Sequence, residues 1–217
     1  MTSVALLFVL GTFGQETTSA IAPPMREVRG QMVISQELPK ADFTFGRRLR
    51  FIGSQRVNLY GNAEAEQYLF AEVGPGGVVD RFCWLQFEHF LPTHNGTYDY
   101  APKRTTEIGG LRFIYNVNTW PDYAALLTED PASDGAAIGR LLKQHRLSLP
   151  DKAVHVRMFH LPSADHRTEL MIIYGEALRR YPKVPVRQGG VELDTESPSS
   201  AQMFLDHVRK TLRVRSR

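Results

Sequence analysis

The densest chemistry in this sequence lies between Thr93 and Arg104, in the run THNGTYDYAPKR. His94, Tyr98, Asp99, Tyr100 and Arg104 bring an imidazole, two phenols, a carboxylate and a guanidinium into one short stretch. Such groups can hydrogen-bond and charge-pair with a small ligand, and Lys103 with Arg104 suits an acidic one. Loops held at strand ends by a rigid sheet are where binding groups collect. The bland reading is a turn, because Asn95-Gly96 is a strong turn dipeptide and tyrosines commonly cover sheet edges. Asn95-Gly96-Thr97 also matches a glycosylation acceptor.

A metal needs three or four converging ligands. His89 and His94 flank Phe90 to Thr93, and His160 and His166 flank a turn, so His89, His94 and His160 are weak candidates for one site. Glu88 and His89 are adjacent and point to opposite faces of a continuous strand. Glu169 and Glu176 likewise fall on opposite faces and make no carboxylate pair. The sequence contains no Gly-x-Ser-x-Gly, no Walker run and no Gly-x-Gly-x-x-Gly. The glycines at Gly74, Gly76 and Gly77 precede no expected helix, so no helix N-terminus is offered to a phosphate. Cys83, the one cysteine, sits in the apolar run FCWLQF and reads as a buried small hydrophobe. No cofactor is implied.

The elements that must position these groups are mostly strands. Short β-like runs separated by Gly, Pro and Asn breaks predict strands near Gln31–Gln36, Leu49–Tyr60, Gln67–Val73, Val78–Leu91, Leu111–Asn118, Ala153–Leu161 and Glu169–Leu178. Leu111, Phe113, Tyr115 and Val117 recur at period two, as do Val154, Val156 and Met158, which predicts one buried face. The stretch Arg81–Leu91 is apolar on both sides and reads as a central strand or one covered by a helix on its second face. Two helices are predicted. One runs from Asp134 to about Gln144 with Ser133 as its cap. The other runs from Pro198 to about Leu212, with Ser197 as cap and Pro198 at the first helical position. The expected fold is α+β: a mostly antiparallel sheet of about seven strands, one inserted helix and one C-terminal helix, with the helices on one face. A flattened barrel around a cavity is the alternative.

The organisation expected is an apolar segment over residues 1–22, a linker over 23–30 and one domain over 31–217. The run VALLFVL followed by Ala20-Ile21-Ala22 has the order of a secretory signal peptide, although no basic residue precedes the apolar core. An N-terminal segment that stays uncleaved and packs against a partner is the other reading. The chain has 217 residues, 42% hydrophobic, 23% charged, with a formal net charge of +3. That excludes a disordered chain and gives no support to nucleic-acid binding. The basic C-terminus, from Arg209 to Arg217, permits weak contact with anionic lipid. Together these point to an exported, non-catalytic domain that binds a small ligand or an envelope partner. Two rivals are an exported hydrolase or metal enzyme built on the 88–104 stretch, and a subunit of a larger envelope assembly.

Overall fold

A computed structural model describes residues 24–100 and 104–217, with the backbone alone for 126–128. The apolar run, the small-residue pattern at 20–22 and Lys103 lie outside the described residues. In chain order the elements are β1 (Glu27–Arg29), β2 (Met32–Ser35), β3 (Ala41–Phe45), β4 (Arg50–Leu59), β5 (Ala63–Val73) and β6 (Val79–Phe90). There follow β7 (Thr105–Ile108), β8 (Leu111–Trp120), α1 (Tyr123–Thr128), α2 (Asp134–Gln144), β9 (Ala153–His160) and β10 (Thr168–Ala177). The chain ends with β11 (Val191–Glu192), α3 (Leu193–Glu196), α4 (Pro198–Thr211) and β12 (Leu212–Ser216).

The class is α+β and the strand pairing is antiparallel throughout the two sheets. The large sheet has the order β11–β8–β9–β10–β6–β5–β4, with β7 also paired to β8. The small sheet has the order β1–β2–β3–β12. Each predicted strand is present. The additional ones are β1, β3, β7, β11 and β12, most of them too short to show a period.

Two faces of the large sheet are buried against different partners, which explains the apolar character of both sides of β6. One face carries Cys83, Leu85, Tyr68 and Val156 and packs against the small sheet and α4, through Phe43, Phe204, Leu205 and Val208. The other carries Phe82, Trp84, Leu69 and Ile173 and packs under α2, through Ile138, Leu141 and Leu142. The two long helices therefore lie on opposite faces, not on one as expected. The amphipathic stripe of α4 is satisfied by the small sheet on its own side, and each buried Phe, Leu or Val contributes about 1.5–3 kcal/mol. Gly53 lies at a β-bulge in β4, where a Cβ would stand 3.1 Å from the Leu141 side chain, so the glycine lets α2 approach.

Three local expectations are corrected. Residues 27–29, placed in a linker, pair with β2, because Arg26 is anchored ahead of them. The Arg26 guanidinium meets Glu66 at 3.1 Å, donates through Nε to Ser35 Oγ at 2.9 Å, and lies 3.7 Å from the Phe87 ring centre. Ser133 caps α2 by accepting from the Ala136 N–H, as expected, whereas the Ser197 hydroxyl bonds Ser200 Oγ instead of a helix N–H. The basic C-terminus is not a free tail: β12 pairs with β3, and Arg217 pairs with Asp42. Arg213 and Arg215 are exposed on β12 because its side chains alternate, with Leu212 and Val214 turned inward.

Candidate functional site

The site forms on the face of the large sheet that lies under α1 and α2. Period-two geometry decides which residues reach it. On β6 these are Phe82, Trp84, Gln86 and Glu88. On β10 they are Glu169, Met171 and Ile173, and on β9 His155, Arg157 and Phe159. Glu169 stands directly opposite Glu88 across the β6–β10 pairing. The sequence places Glu169 and Glu176 on opposite faces, where they make no carboxylate pair. Those two do lie on opposite faces, and Glu176 is spent on Tyr174, Tyr181, Arg81 and His207.

Two tyrosines from the 93–100 loop close over the carboxyl pair. Tyr98 donates its hydroxyl to Glu88 Oε1 at 2.7 Å, and Tyr100 donates to Glu169 Oε2. Gln86 Nε2 donates to Glu88 Oε2 at 2.7 Å. The loop has no regular structure, so other contacts fix it. The Tyr98 N–H donates to the His166 carbonyl at 2.8 Å. Arg167 donates to the carbonyls of Gly96 and Leu91 at 3.2 and 2.9 Å. Tyr98 and His94 each stack on Phe90, and Tyr100 stacks on Phe159.

Burial sets the charges. Glu169 is 2% exposed, and loss of hydration pushes its carboxyl up to about 8. Its Tyr100 hydrogen bond and Arg157 act in the opposite direction, while the neighbouring Glu88 adds to the rise. Burial also raises Glu88 and Asp134. His155 is driven down to about 3 by burial and by Arg157, so it is neutral.

Next to this acid cluster lies a cavity of about 380 Å³ between the sheet and the α1–α2 connection. Trp84, Met171, Ile173, His155 and Arg157 form its floor, Trp120 and Tyr123 wall it, and Glu129, Asp130 and Ser133 to Gly135 roof it. A neutral imidazole has one N–H, and the neighbours determine where it is. Trp120 Nε1 can only donate, and it reaches His155 Nε2 at 3.3 Å. The proton is therefore on Nδ1, which donates to the Tyr123 hydroxyl oxygen at 3.3 Å. The Tyr123 hydroxyl proton is left to find another acceptor.

Of the residues singled out in the sequence, Tyr98 and Tyr100 are brought together at the carboxyl pair. His94 lies on the outer side of Phe90, and Asp99 is exposed. Arg104 is elsewhere, beside Asp194 on α3. His89 is exposed, and His160 bonds the Arg112 carbonyl at 2.9 Å near Phe113. His89, His94 and His160 therefore do not converge. Among the described residues, no group of three or more His, Cys, Asp and Glu is arranged to hold a metal. Cys83 is buried on the α4 face, where loss of hydration raises its thiol far above the range of a nucleophile.

No known protein family, curated protein or solved structure matches this chain. Trp84, His155 and Arg157, which line the cavity, and Glu169, which faces Glu88, lie outside the 93–104 stretch that stands out in the sequence. The available signal was three polar residues, His155, Arg157 and Glu169, inside otherwise apolar strands.

Proposed function

We propose that this chain is an exported, non-catalytic domain that binds a small organic ligand in the cavity beneath α1 and α2. The observation that carries the reading is the cavity itself. At about 380 Å³ it falls within the size range of small-molecule pockets, and it joins aromatic walls to a few polar groups held on rigid strands. Export rests on the apolar run and the Ala20-Ile21-Ala22 pattern. Cleavage after Ala22 would leave the contacts of Met25 and Arg26 with Glu66 and Tyr68 in place.

Trp84 and Trp120 are the only two tryptophans in the chain, and both line this cavity. Tryptophan fluorescence therefore reports on it, Trp120 also bordering the groove beside Pro121 and Gly189. Native mass spectrometry of the full chain, expressed with its own N-terminus, gives the first test. The expected species lacks the first 22 residues and carries a small adduct that leaves on denaturation with recovery of the apo fluorescence spectrum. A full-length mass would overturn export. A tryptophan spectrum unmoved by a broad panel of small organic molecules would overturn binding in this cavity.

A second reading, an exported hydrolase working through acids of the 88–104 stretch, draws on the Glu88–Glu169 pair. Paired carboxyls with one held neutral are suited to acid–base work. Neither residue lines the cavity, which favours the binding reading.

A further inference from the structure

We infer that the ligand is a monoanionic organic acid, a carboxylate on a flat or branched apolar body, seated with its acid group on Arg157. This deepens the binding reading above and depends on it. The argument is a count of unspent hydrogen-bonding capacity around the cavity.

The floor and walls hold donors with nothing to donate to. Trp84 is 1% exposed, and its indole N–H has no acceptor. The Arg157 Nε–H is likewise buried and unpartnered, and its guanidinium forms no hydrogen bond or ion pair among the described residues. It lies 4.8 Å from the Phe159 ring centre and acts through space on Glu169, Asp134 and His155 without a direct contact to them. The Tyr123 hydroxyl, which accepts from His155, has no acceptor for its own proton among the described residues. Buried donors left unmade carry the cost of their lost hydration, so an acceptor that satisfies them is favoured.

The acceptors on the roof, in contrast, are already used. Asp134 Oδ1 takes the Gly135 N–H at 2.6 Å, and Oδ2 takes Gln86 Nε2 at 3.4 Å. Asp130 takes the Ala132 N–H at 2.9 Å and the Tyr60 hydroxyl at 2.7 Å. Ser133 Oγ accepts from Ala136 and donates to the Asp130 carbonyl. Glu129 is exposed at the mouth. Asn118, at the wall, donates to Asn116 and offers its amide oxygen, so a ligand donor meets that one neutral acceptor, whereas a ligand acceptor meets three free donors, one of them charged. The guanidinium fork selects a planar oxyanion. The three lining carboxylates oppose an anion, but Glu129 and Asp130 are exposed to solvent and burial pushes Asp134 towards its neutral form, so Arg157 admits a single negative charge and a dianion such as a phosphate ester is disfavoured. Trp84, Trp120, Tyr123, Met171 and Ile173 provide the apolar surface for the remaining body.

The test uses the neutral dye N-phenyl-1-naphthylamine, which accepts energy from tryptophan, and three competitors of one shape: 3-phenylpropionate, 3-phenylpropionamide and 3-phenylpropylamine. The expected result is dye binding with tryptophan quenching, and displacement by the acid at a concentration at least tenfold below the amide or the amine. Arg157→Gln should lose that tenfold preference of acid over amide, the acid and the amide then displacing the dye at similar concentrations. Arg157→Lys, which keeps the charge but not the fork, should retain part of it and guards against a variant that fails to fold. Dye binding with equal displacement by acid and amide, or preference for the amine, would overturn the acid assignment and leave the cavity reading intact. Absence of any response to dye and competitors would overturn both.

Discussion

Replacing Glu169 with glutamine should change how stability depends on pH more than it changes stability itself. The carboxyl titrates near 4.5 in the unfolded chain and about 8 in the folded one. Below pH 4.5 both states hold the proton and the residue costs nothing. Between 4.5 and 8 the unfolded state releases the proton and the folded state keeps it, so stability falls as pH rises. Above 8 both are ionised and the loss is complete. At about 1.36 kcal/mol per pH unit, the full loss is on the order of 5 kcal/mol, a third or more of the stability of an ordinary domain. Because Glu88 stands opposite, the two carboxyls titrate as a pair, and the wild-type slope contains both.

Glutamine keeps the acceptor for the Tyr100 hydroxyl and cannot ionise. Urea denaturation of wild type and Glu169→Gln at pH 5, 7 and 9 separates the cases. The expected wild-type free energy falls steadily over this range. The variant should match or fall slightly below wild type at pH 5 and exceed it by several kcal/mol at pH 9, with a shallow slope remaining from Glu88. An unchanged slope in the variant would refute the argument, since it would mean that Glu169 is ionised, and solvated or paired, in the fold at neutral pH.

Other changes have separate signatures. His155 is held near 3 when folded and titrates near 6.5 when unfolded, so stability should decline as pH falls from 6.5 towards 3. With the Glu169 effect this sets a maximum in thermal midpoint between about pH 4.5 and 6.5, and His155→Gln should flatten the acid side in a melting series. Arg26→Met leaves Glu66 buried without its partner and should cost about 3–5 kcal/mol, read as a lower urea midpoint. Gly175→Ala would place a methyl group inside the Phe82 ring, which stacks on Tyr123, so calorimetry should show destabilisation by about 1–3 kcal/mol and tryptophan emission should shift.

The parts of the fold that were legible are those where a period repeats long enough to be counted. β8 and β9 alternate cleanly, and α4 carries Ala201, Phe204, Leu205 and Val208 at helical spacing. What was not legible depends on pairing across distance. β12 is a strand because β3, far back in the chain, offers an edge; β1, three residues long, pairs with the adjacent β2 but is too short to show a period; and Arg26 finds Glu66 forty residues further on. The site follows the same division. The loop carrying Tyr98 and Tyr100 stood out by local density of polar groups. Their acceptors did not, because Glu88 and Glu169 become opposite only through the β6–β10 register. Asp99 and Arg104 belong to the same local cluster but face elsewhere, since chain proximity does not fix side-chain direction.

The interior under α2 is difficult to explain as scaffolding. On the other face of the same sheet, Glu176 is also buried, yet two tyrosines, an arginine and a histidine satisfy it, and its acidity is strengthened rather than weakened. That network docks α4 through His207 and pairs the carboxyl with two cations, although the Arg81 Nε–H is buried without an acceptor. Under α2, burial raises Glu88, Glu169 and Asp134 and suppresses His155, while Arg157 and Trp84 keep unused N–H groups. Replacing buried ionic groups with apolar residues of similar size is commonly neutral or stabilising. A fold that needed only to cover this face with α2 would gain by doing so, as it does at Ile138, Leu141 and Leu142. The two networks occupy the same sheet and differ chiefly in whether their carboxyls are ion-paired: Glu176 holds Arg81 and His207, whereas Glu88 and Glu169 face each other with tyrosine hydroxyls as partners. That difference supports placing the proposed ligand on the α2 face and not on the α4 face. It predicts that filling the cavity with an acid should raise the melting temperature, whereas no small molecule should stabilise the protein through Glu176.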